Sequence, residues 1–380
     1  MLYLDNAATT RVRPEVLEAM APLLTDRFGN ASSHHTVGEA AASALADARR
    51  RAAAVLGVRP ADVVFTSGGT EADNLAVKGL AVGAALRRGA PVHIVTTAIE
   101  HEAILSSCDY LERVHGYAVT RLPVDATGSV SPDDLAGALR PDTAVVSIGY
   151  ANNEIGTVQD VDALARVTAA ARVPLHLDAV QAAGWLPLHG LGVDALALAG
   201  HKVGTPQGIG LLAVRARLPL EPVLHGGGQE RGRRSGTENV AGAVGLAVAL
   251  ELAEAERDDA ARRVGAVRDE FVRRVLELVP AARLTGHPVR RLPGIASFTV
   301  AGTSGEAVLL ELERRGVISS SGSACAAGSD EPSHVLLACG IDPATAQTAV
   351  RFSFAHTYAG DPAPIAAAVA DAVAAVRSGA

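Results

Sequence analysis

Residues 62–89, DVVFTSGGTEADNLAVKGLAVGAALRRG, read as a strand, a glycine turn and a helix in immediate succession. DVVFTS is a short apolar run without polar alternation, the pattern of a strand covered on both faces. Gly68 and Gly69 break the run, and a helical pattern follows as far as Gly89. Such a unit leads into a parallel partner strand. Six more runs of the same kind follow: VHIVTT, YAVTRL, TAVVSI, VPLHLD, DALALAG and GIGLLAV. Helical segments separate several of them; SPDDLAGALR opens on a Ser131 cap with Pro132 in the first turn. The expectation is an α/β fold whose large domain, residues 14–250, holds a mostly parallel seven-stranded sheet.

A helical pattern beginning at ENVAGAVG and running to LELV is too long for one ordinary core helix, and bridges two domains. Beyond it come GIASFTV, a helix at SGEAVLLELERRG, VRFSF and an alanine-rich C-terminal helix. These predict a smaller α+β domain made of residues 1–13 and 251–380.

With 380 residues, 48% hydrophobic and 20% charged, the chain is globular in composition and can bury two cores. A net charge of −7 offers no broad basic face, so nucleic acid is not expected as a partner. MLYLDNAATT lacks a basic n-region and an apolar h-region, and no membrane-length apolar run follows; a cytoplasmic protein is expected. Cys108, Cys325 and Cys339 show no metal-like spacing, HEAIL is not HExxH, and His34 and His35 stand alone, so no metal is expected. Cys108 and Cys339 fall in helical patterns and read as packing residues. Cys325 sits in SSGSACAAGS, where small residues predict a loop that buries a thiol poorly; it is either a harmless thiol or a chemical one.

In parallel α/β sheets ligands lie at the C-terminal strand ends, so the polar residues there carry the weight. After DVVFTS, Gly68, Gly69 and Thr70 open a helix, a phosphate cradle or an ordinary turn. After VHIVTT comes His101, structural or catalytic. After TAVVSIGY comes ANNEIG with Asn153; after VPLHL come Asp178 and Gln181; after DALALAG come His201 and Lys202. Singly, Asp178 or Lys202 could be half of a salt bridge. Together they match the needs of pyridoxal phosphate: a lysine for covalent attachment, an acid at the pyridine nitrogen and a phosphate cradle. Gln181 can bond the phenolic oxygen, and the His101 imidazole can stack on the ring.

The motifs YLDNAATT, FTSGGTEADNLAVKG, NNEIGTVQD, HLDAVQAAG, GHKVGTPQGIG, HGGGQERGRRSGT and SSGSACAAG resemble those of the cysteine desulfurases, within the class V aminotransferase fold type. The resemblance implies the type I fold of pyridoxal-phosphate-dependent transferases. It implies that Lys202 binds the cofactor, Asp178 meets its ring nitrogen, Gln181 its phenolic oxygen, and His101 its face. It further implies phosphate contacts from Gly69, Thr70 and His201, and from Thr237 across a homodimer. Asn153 and Arg351 match the residues that hold the substrate carboxylate, with Asn153 also close to the ring, and Cys325 matches the nucleophile. One departure stands out: many relatives carry a phosphate-binding serine where this chain has Ala199.

The implied reaction takes sulfur from L-cysteine, leaves alanine, and loads a persulfide on Cys325 for a sulfur-acceptor protein serving iron–sulfur assembly or tRNA thiolation. An aminotransferase or a selenocysteine lyase of the same fold type is the alternative among enzymes, and a non-catalytic scaffold the alternative outside them. Arg231, Arg233 and Arg234 are expected to serve a subunit interface or an anion site rather than nucleic acid.

Overall fold

The computed structural model describes residues 1–321 and 331–378. Among the described residues twelve strands are present: β1 (Leu2–Tyr3), β2 (Val63–Thr66), β3 (His93–Thr97), β4 (Ala118–Leu122), β5 (Thr143–Gly149), β6 (Leu175–Asp178), β7 (Ala195–Ala199), β8 (Gly210–Val214), β9 (Ala282–Leu284), β10 (Ile295–Val300), β11 (Val317–Ile318) and β12 (Ala349–Ser353). The seven apolar runs read from the sequence are β2 to β8, and they form one sheet in the order β2-β8-β7-β6-β5-β3-β4. β8 alone runs antiparallel to its neighbours β2 and β7; every other pairing is parallel.

The helices α1 (Pro14–Leu24), α2 (Thr36–Leu56), α3 (Gly69–Arg88), α4 (Glu102–His115), α5 (Pro132–Ala138), α6 (Val161–Ala171) and α7 (Val240–Leu278) cover the sheet or extend from it. The predicted cap at Ser131 is made, its hydroxyl accepting the Asp133 and Asp134 N–H groups at 3.2 Å. Strand period two decides which residues face which layer. Along β7, Ala195 and Ala197 join the core under α3 and α4, while Leu196 and Leu198 join the core under α1, α2 and α7. Small alanines on one side let α3 lie close to the sheet.

α7 is a single helix of 39 residues. Its N-terminal part, through Ala253, belongs to the core shared with α1 and α2; Val264, Phe271 and Val275 belong to a second, with Phe298, Phe352 and Leu4. That second core backs the antiparallel sheet β12-β10-β9 and the helix α8 (Gly305–Arg314). β1 pairs in parallel with β11, so the first residues of the chain lie on the second core. Among the described residues no helix is long and apolar enough to cross a membrane.

Candidate active site

The C-terminal ends of β2, β3, β5, β6 and β7 converge, and each delivers residues singled out by the sequence. Lys202 ends the turn that follows β7, and its Nζ donates to the carbonyls of Ala7 and Ala8, the latter at 2.7 Å. Asp178 ends β6 one strand away, in register with Ala197 of β7. Its Oδ1 accepts the Val180 N–H at 2.9 Å. Protein atoms crowd this carboxyl, and burial pushes its pKa up, while His101 and Lys202 pull it back down. Gln181 Nε2 shares the Ala7 carbonyl at 3.0 Å, and His201 Nδ1 lies 3.1 Å from Thr9 Oγ1. Burial and the nearby Lys202 charge lower His201 to about 4, so its imidazole is neutral at pH 7.

His101 caps α4: its Nδ1 accepts the Ala103 N–H at 3.0 Å, which fixes the tautomer and leaves Nε2 as the atom able to carry a proton. α3 opens at Gly69, where a side chain would meet Val180 Cγ2 at 2.7 Å and Ala199 Cβ at 3.4 Å. At Gly68 a side chain would meet nothing within 4 Å, so open space lies before the first N–H groups of α3. The helix end is thus packed from behind and clear in front, as an anion site requires. Thr70 stands exposed in that first turn, and Ala199 sits at its base.

Arg351 on β12 is buried, with Nη1 on the Asn153 carbonyl at 2.9 Å and Nη2 on Asp5 Oδ1 at 2.6 Å. Asn153 follows β5 within a turn held by its neighbour, whose Oδ1 accepts the N–H groups of Glu154 and Ile155 at 2.9 and 3.0 Å. Cys325 lies outside the described residues. On one side of it, Ser320 exchanges backbone hydrogen bonds with Arg351; on the other, Ser333 donates to Glu154 and His334 Nε2 sits 3.0 Å from the Glu100 carbonyl. Both flanks therefore abut the site.

Thr237 is exposed ahead of α7, and no hydrogen bond among the described residues joins it to the group above. The arginines beside it are used within the chain. Arg231 donates to the Val63 carbonyl at 2.6 Å, Arg233 to Ala61 at 3.4 Å, and Arg234 forms a two-pronged pair with Glu71 of α3 at 2.7 and 3.2 Å. They fasten this segment to β2 and α3, a role the expectation of an interface or anion site did not include.

The class-V aminotransferase family model matches residues 2–360. The chain belongs to that family. Within it the similar proteins are desulfurases: "Cysteine desulfurase IscS" of Methanosarcina thermophila is 45% identical over 93% of this chain and 86% of its own length. The "IscS-like cysteine desulfurase" of Mycobacterium tuberculosis is 45% identical over 94% of this chain and 92% of its own. Among solved structures, a "NifS-like protein" superposes with a TM-score of 0.90 at 34% identity, covering 98% of this chain and 99% of that one. "SspA in complex with cysteine" gives 0.81 at 36% identity, over 93% of this chain and 99% of that one. The type I fold expected from the motifs is the fold of this class-V chain.

Four features of the class-V site were not legible beforehand. Asp5 partners Arg351 across 346 positions of sequence, the Ala7 and Ala8 carbonyls hold Lys202, and Asp73 and Glu100 are buried acids near Asp178. YLDNAATT contains the first two features but carries no periodic signal that aims them inward. The two acids look like ordinary helix-start residues until the fold turns them toward the sheet.

Proposed function

We propose that this protein is an L-cysteine desulfurase that works with pyridoxal phosphate, transferring sulfur from L-cysteine to Cys325 and releasing L-alanine. The observation that carries it is the meeting of Lys202 after β7, Asp178 at the end of neighbouring β6 and the open start of α3 after β2. An ammonium, a carboxylate and an anion-binding helix end fit the aldehyde, ring nitrogen and phosphate of that cofactor. When bound, it supplies a carbonyl for the substrate amine and a protonated ring that draws electrons from the α-carbon.

The chain's own residues account for the rest. Asp178 would hold the proton on the ring nitrogen. Gly69, Thr70 and His201 would hold the phosphate, His201 as a neutral imidazole. Gln181 would donate to the phenolic oxygen, His101 would cover the ring, and Asn153 and Arg351 would orient the substrate carboxylate. Lys202 Nζ moves the α-proton. The Cys325 thiolate then attacks the substrate sulfur: the new S–S bond forms as the C–S bond breaks, the bonding pair goes to carbon, and protonation of that carbon gives alanine. The persulfide passes to an acceptor protein. We further propose a cytoplasmic homodimer in which Thr237 reaches the partner's phosphate site, and a division into residues 14–250 and residues 1–13 with 251–380.

The alternative, an aminotransferase, has no use for Cys325. The test is mass spectrometry after incubation with cysteine. Cys325→Ser should keep the yellow colour and respond spectrally to cysteine, yet form no sulfur adduct and no catalytic alanine, and Lys202→Ala should lose the lysine-linked chromophore. Both buried thiols are poor nucleophiles, since burial pushes Cys108 up to about 12 and Cys339 to about 11. A sulfur adduct on either, with Cys325→Ser still turning over, refutes the assignment.

A further inference from the structure

Beneath α3, the face of the sheet that is apolar along most of its length turns polar near the strand ends. Ile94 on β3, Val145 on β5 and Ala195 on β7 pack in that core. One step further along the strands stand Thr96, Ser147 and His176, and then Gly149 and Asp178, paired in register across β5 and β6. Period two puts His176 and Asp178 on the same face of β6. Asp73 descends on them from α3, its Oδ1 3.7 Å from His176 Nε2. Ser147 Oγ holds the other ring nitrogen at 2.9 Å.

Glu100 enters from the β3–α4 connection. Its Oε1 accepts the Thr97 hydroxyl at 2.6 Å, and its Oε2 lies 3.2 Å from where a side chain on Gly149 would begin. Glycine at 149 is what lets the carboxyl lie on the strand beside Asp178. Asp73, Glu100 and His176 are at most 3% exposed. Asp73 Oδ1, His176 Nε2 and Thr96 Oγ1 are buried without a hydrogen-bond partner among the described residues, three such atoms in one strip. Their arrangement is not that of a metal site.

Asp178 and the two dry carboxyls behind it cannot all ionise, because each charge raises the cost of the next. The groups facing Glu100 are Asp178, Asp73 and Cys108; Asp178 also faces His101 and Lys202. Among the described residues, the charges acting on Asp73 and Glu100 are those of neighbouring carboxyls, while Lys202 acts on Asp178. His176 offers none, since burial lowers it to about 3. Of the three, Asp178 combines the Val180 N–H with the nearby Lys202 ammonium, so it ionises first.

We propose that Asp73, Glu100 and His176 are positioning residues that stay uncharged behind Asp178 and so make it the single negative charge at the head of the sheet. Its purpose rests on the reading of Asp178 as the acid at the ring nitrogen. A second carboxylate within the strip would compete with Asp178 for that proton. A protonated Asp73 can donate to the bare His176 Nε2, closing the 3.7 Å gap with a small shift.

The test is infrared difference spectroscopy on the apoprotein through a pH titration, with Glu100→Gln and Asp73→Asn beside the wild type. Amides mimic protonated carboxyls in size and hydrogen bonding, so both variants should fold. The wild type should show protonated-carboxyl intensity at pH 7, one component vanishing in each variant, and the Glu100 component should bleach with a midpoint near 8. Adding pyridoxal phosphate gives a second readout: both amide variants should keep its Kd within about threefold, as isosteres of groups already neutral. Absence of any carboxyl band removed by either variant overturns the proposal, as does a loss of affinity beyond about tenfold in both. The infrared result stands whether or not Asp178 meets the cofactor, so failure of the functional reading would show separately, as unaltered cofactor affinity in Asp178→Asn.

Discussion

Arg351 is committed before any substrate arrives. Its guanidinium spans Asp5 and the Asn153 carbonyl, so a substrate carboxylate must share or displace the Asp5 contact at 2.6 Å. Asp5→Asn removes the competing charge and keeps an acceptor oxygen. KM for cysteine should fall about threefold to tenfold, the equivalent of about 1 kcal/mol, while the melting temperature drops because a buried cation loses its counter-charge. A raised KM in steady-state kinetics would show that Asp5 orients Arg351 more than it competes. Ala199 is the second residue with a readable consequence. It underlies the start of α3, with its Cβ 3.4 Å from the side-chain position of Gly69. Ala199→Ser should add one hydrogen bond to the cofactor phosphate, worth about 0.5–1.5 kcal/mol, and slow cofactor loss on dilution accordingly. Unchanged loss would mean the phosphate is already saturated.

The start of α3 is where the sequence was informative and where it ran out. Strand, glycine turn and helix were legible because apolar continuity and glycine conformational freedom are local properties. Which glycine does what was not, since that depends on Val180 and Ala199, more than a hundred positions away. Gly69→Ala drives a methyl to 2.7 Å from Val180 Cγ2. It should cost about 1–3 kcal/mol in thermal or urea unfolding and weaken cofactor binding as the helix end shifts. Val180→Ala in the same chain should recover most of both losses; failure to recover would locate the strain elsewhere. The same limit explains Asp73, Glu100 and Asp5: burial of an acid is decided by what packs over it, and TEADN, AIEHEA and YLDN read as solvent-facing helix starts and turns. β6 did hold a usable signal. In HLD the histidine and acid share a face, so a polar site on the α3 side could have been drawn from period two alone.

Across the whole molecule, buried titrating groups set opposing pH slopes. His176 is lowered to about 3, and His201 and His356 to about 4, each from an ordinary 6.5 and each chiefly by burial. Their unfolded forms bind protons that the folded forms refuse, so stability is lost as pH falls below 6.5 toward 4. Glu100 is raised by burial from 4.5 to about 8, and there the folded form holds the proton more tightly. Its stabilisation is complete below 4.5 and is lost as pH rises toward 8. Each group contributes at most about 1.4 kcal/mol per pH unit, so the three histidines outweigh the raised carboxyls Glu100 and Asp73 on the acid side. Apoprotein melting temperature should therefore peak near pH 6.5 and decline on both sides. Glu100→Gln should flatten the alkaline decline and steepen the acid limb between pH 4.5 and 6.5, where Glu100 opposes the histidines. A profile that keeps rising from pH 6.5 to 8 in the wild type would contradict this.

Residues 2–8 tie the beginning of the chain to its far end, and this has a bearing on how the protein is made. Leu2 pairs with Val317 and Asp5 bridges to Ser353, while the Ala7 and Ala8 carbonyls clasp Lys202. On the ribosome, the seven-stranded sheet can form while β11 and β12 are still untranslated, with Lys202 already emerged and its clasp waiting. At about 5–20 residues per second, the stretch from Lys202 to Ser353 takes on the order of 8–30 s. A stalled nascent chain holding every strand of the large sheet but lacking β12 would then carry the lysine without its finished cradle, and cofactor loading becomes an event of late synthesis.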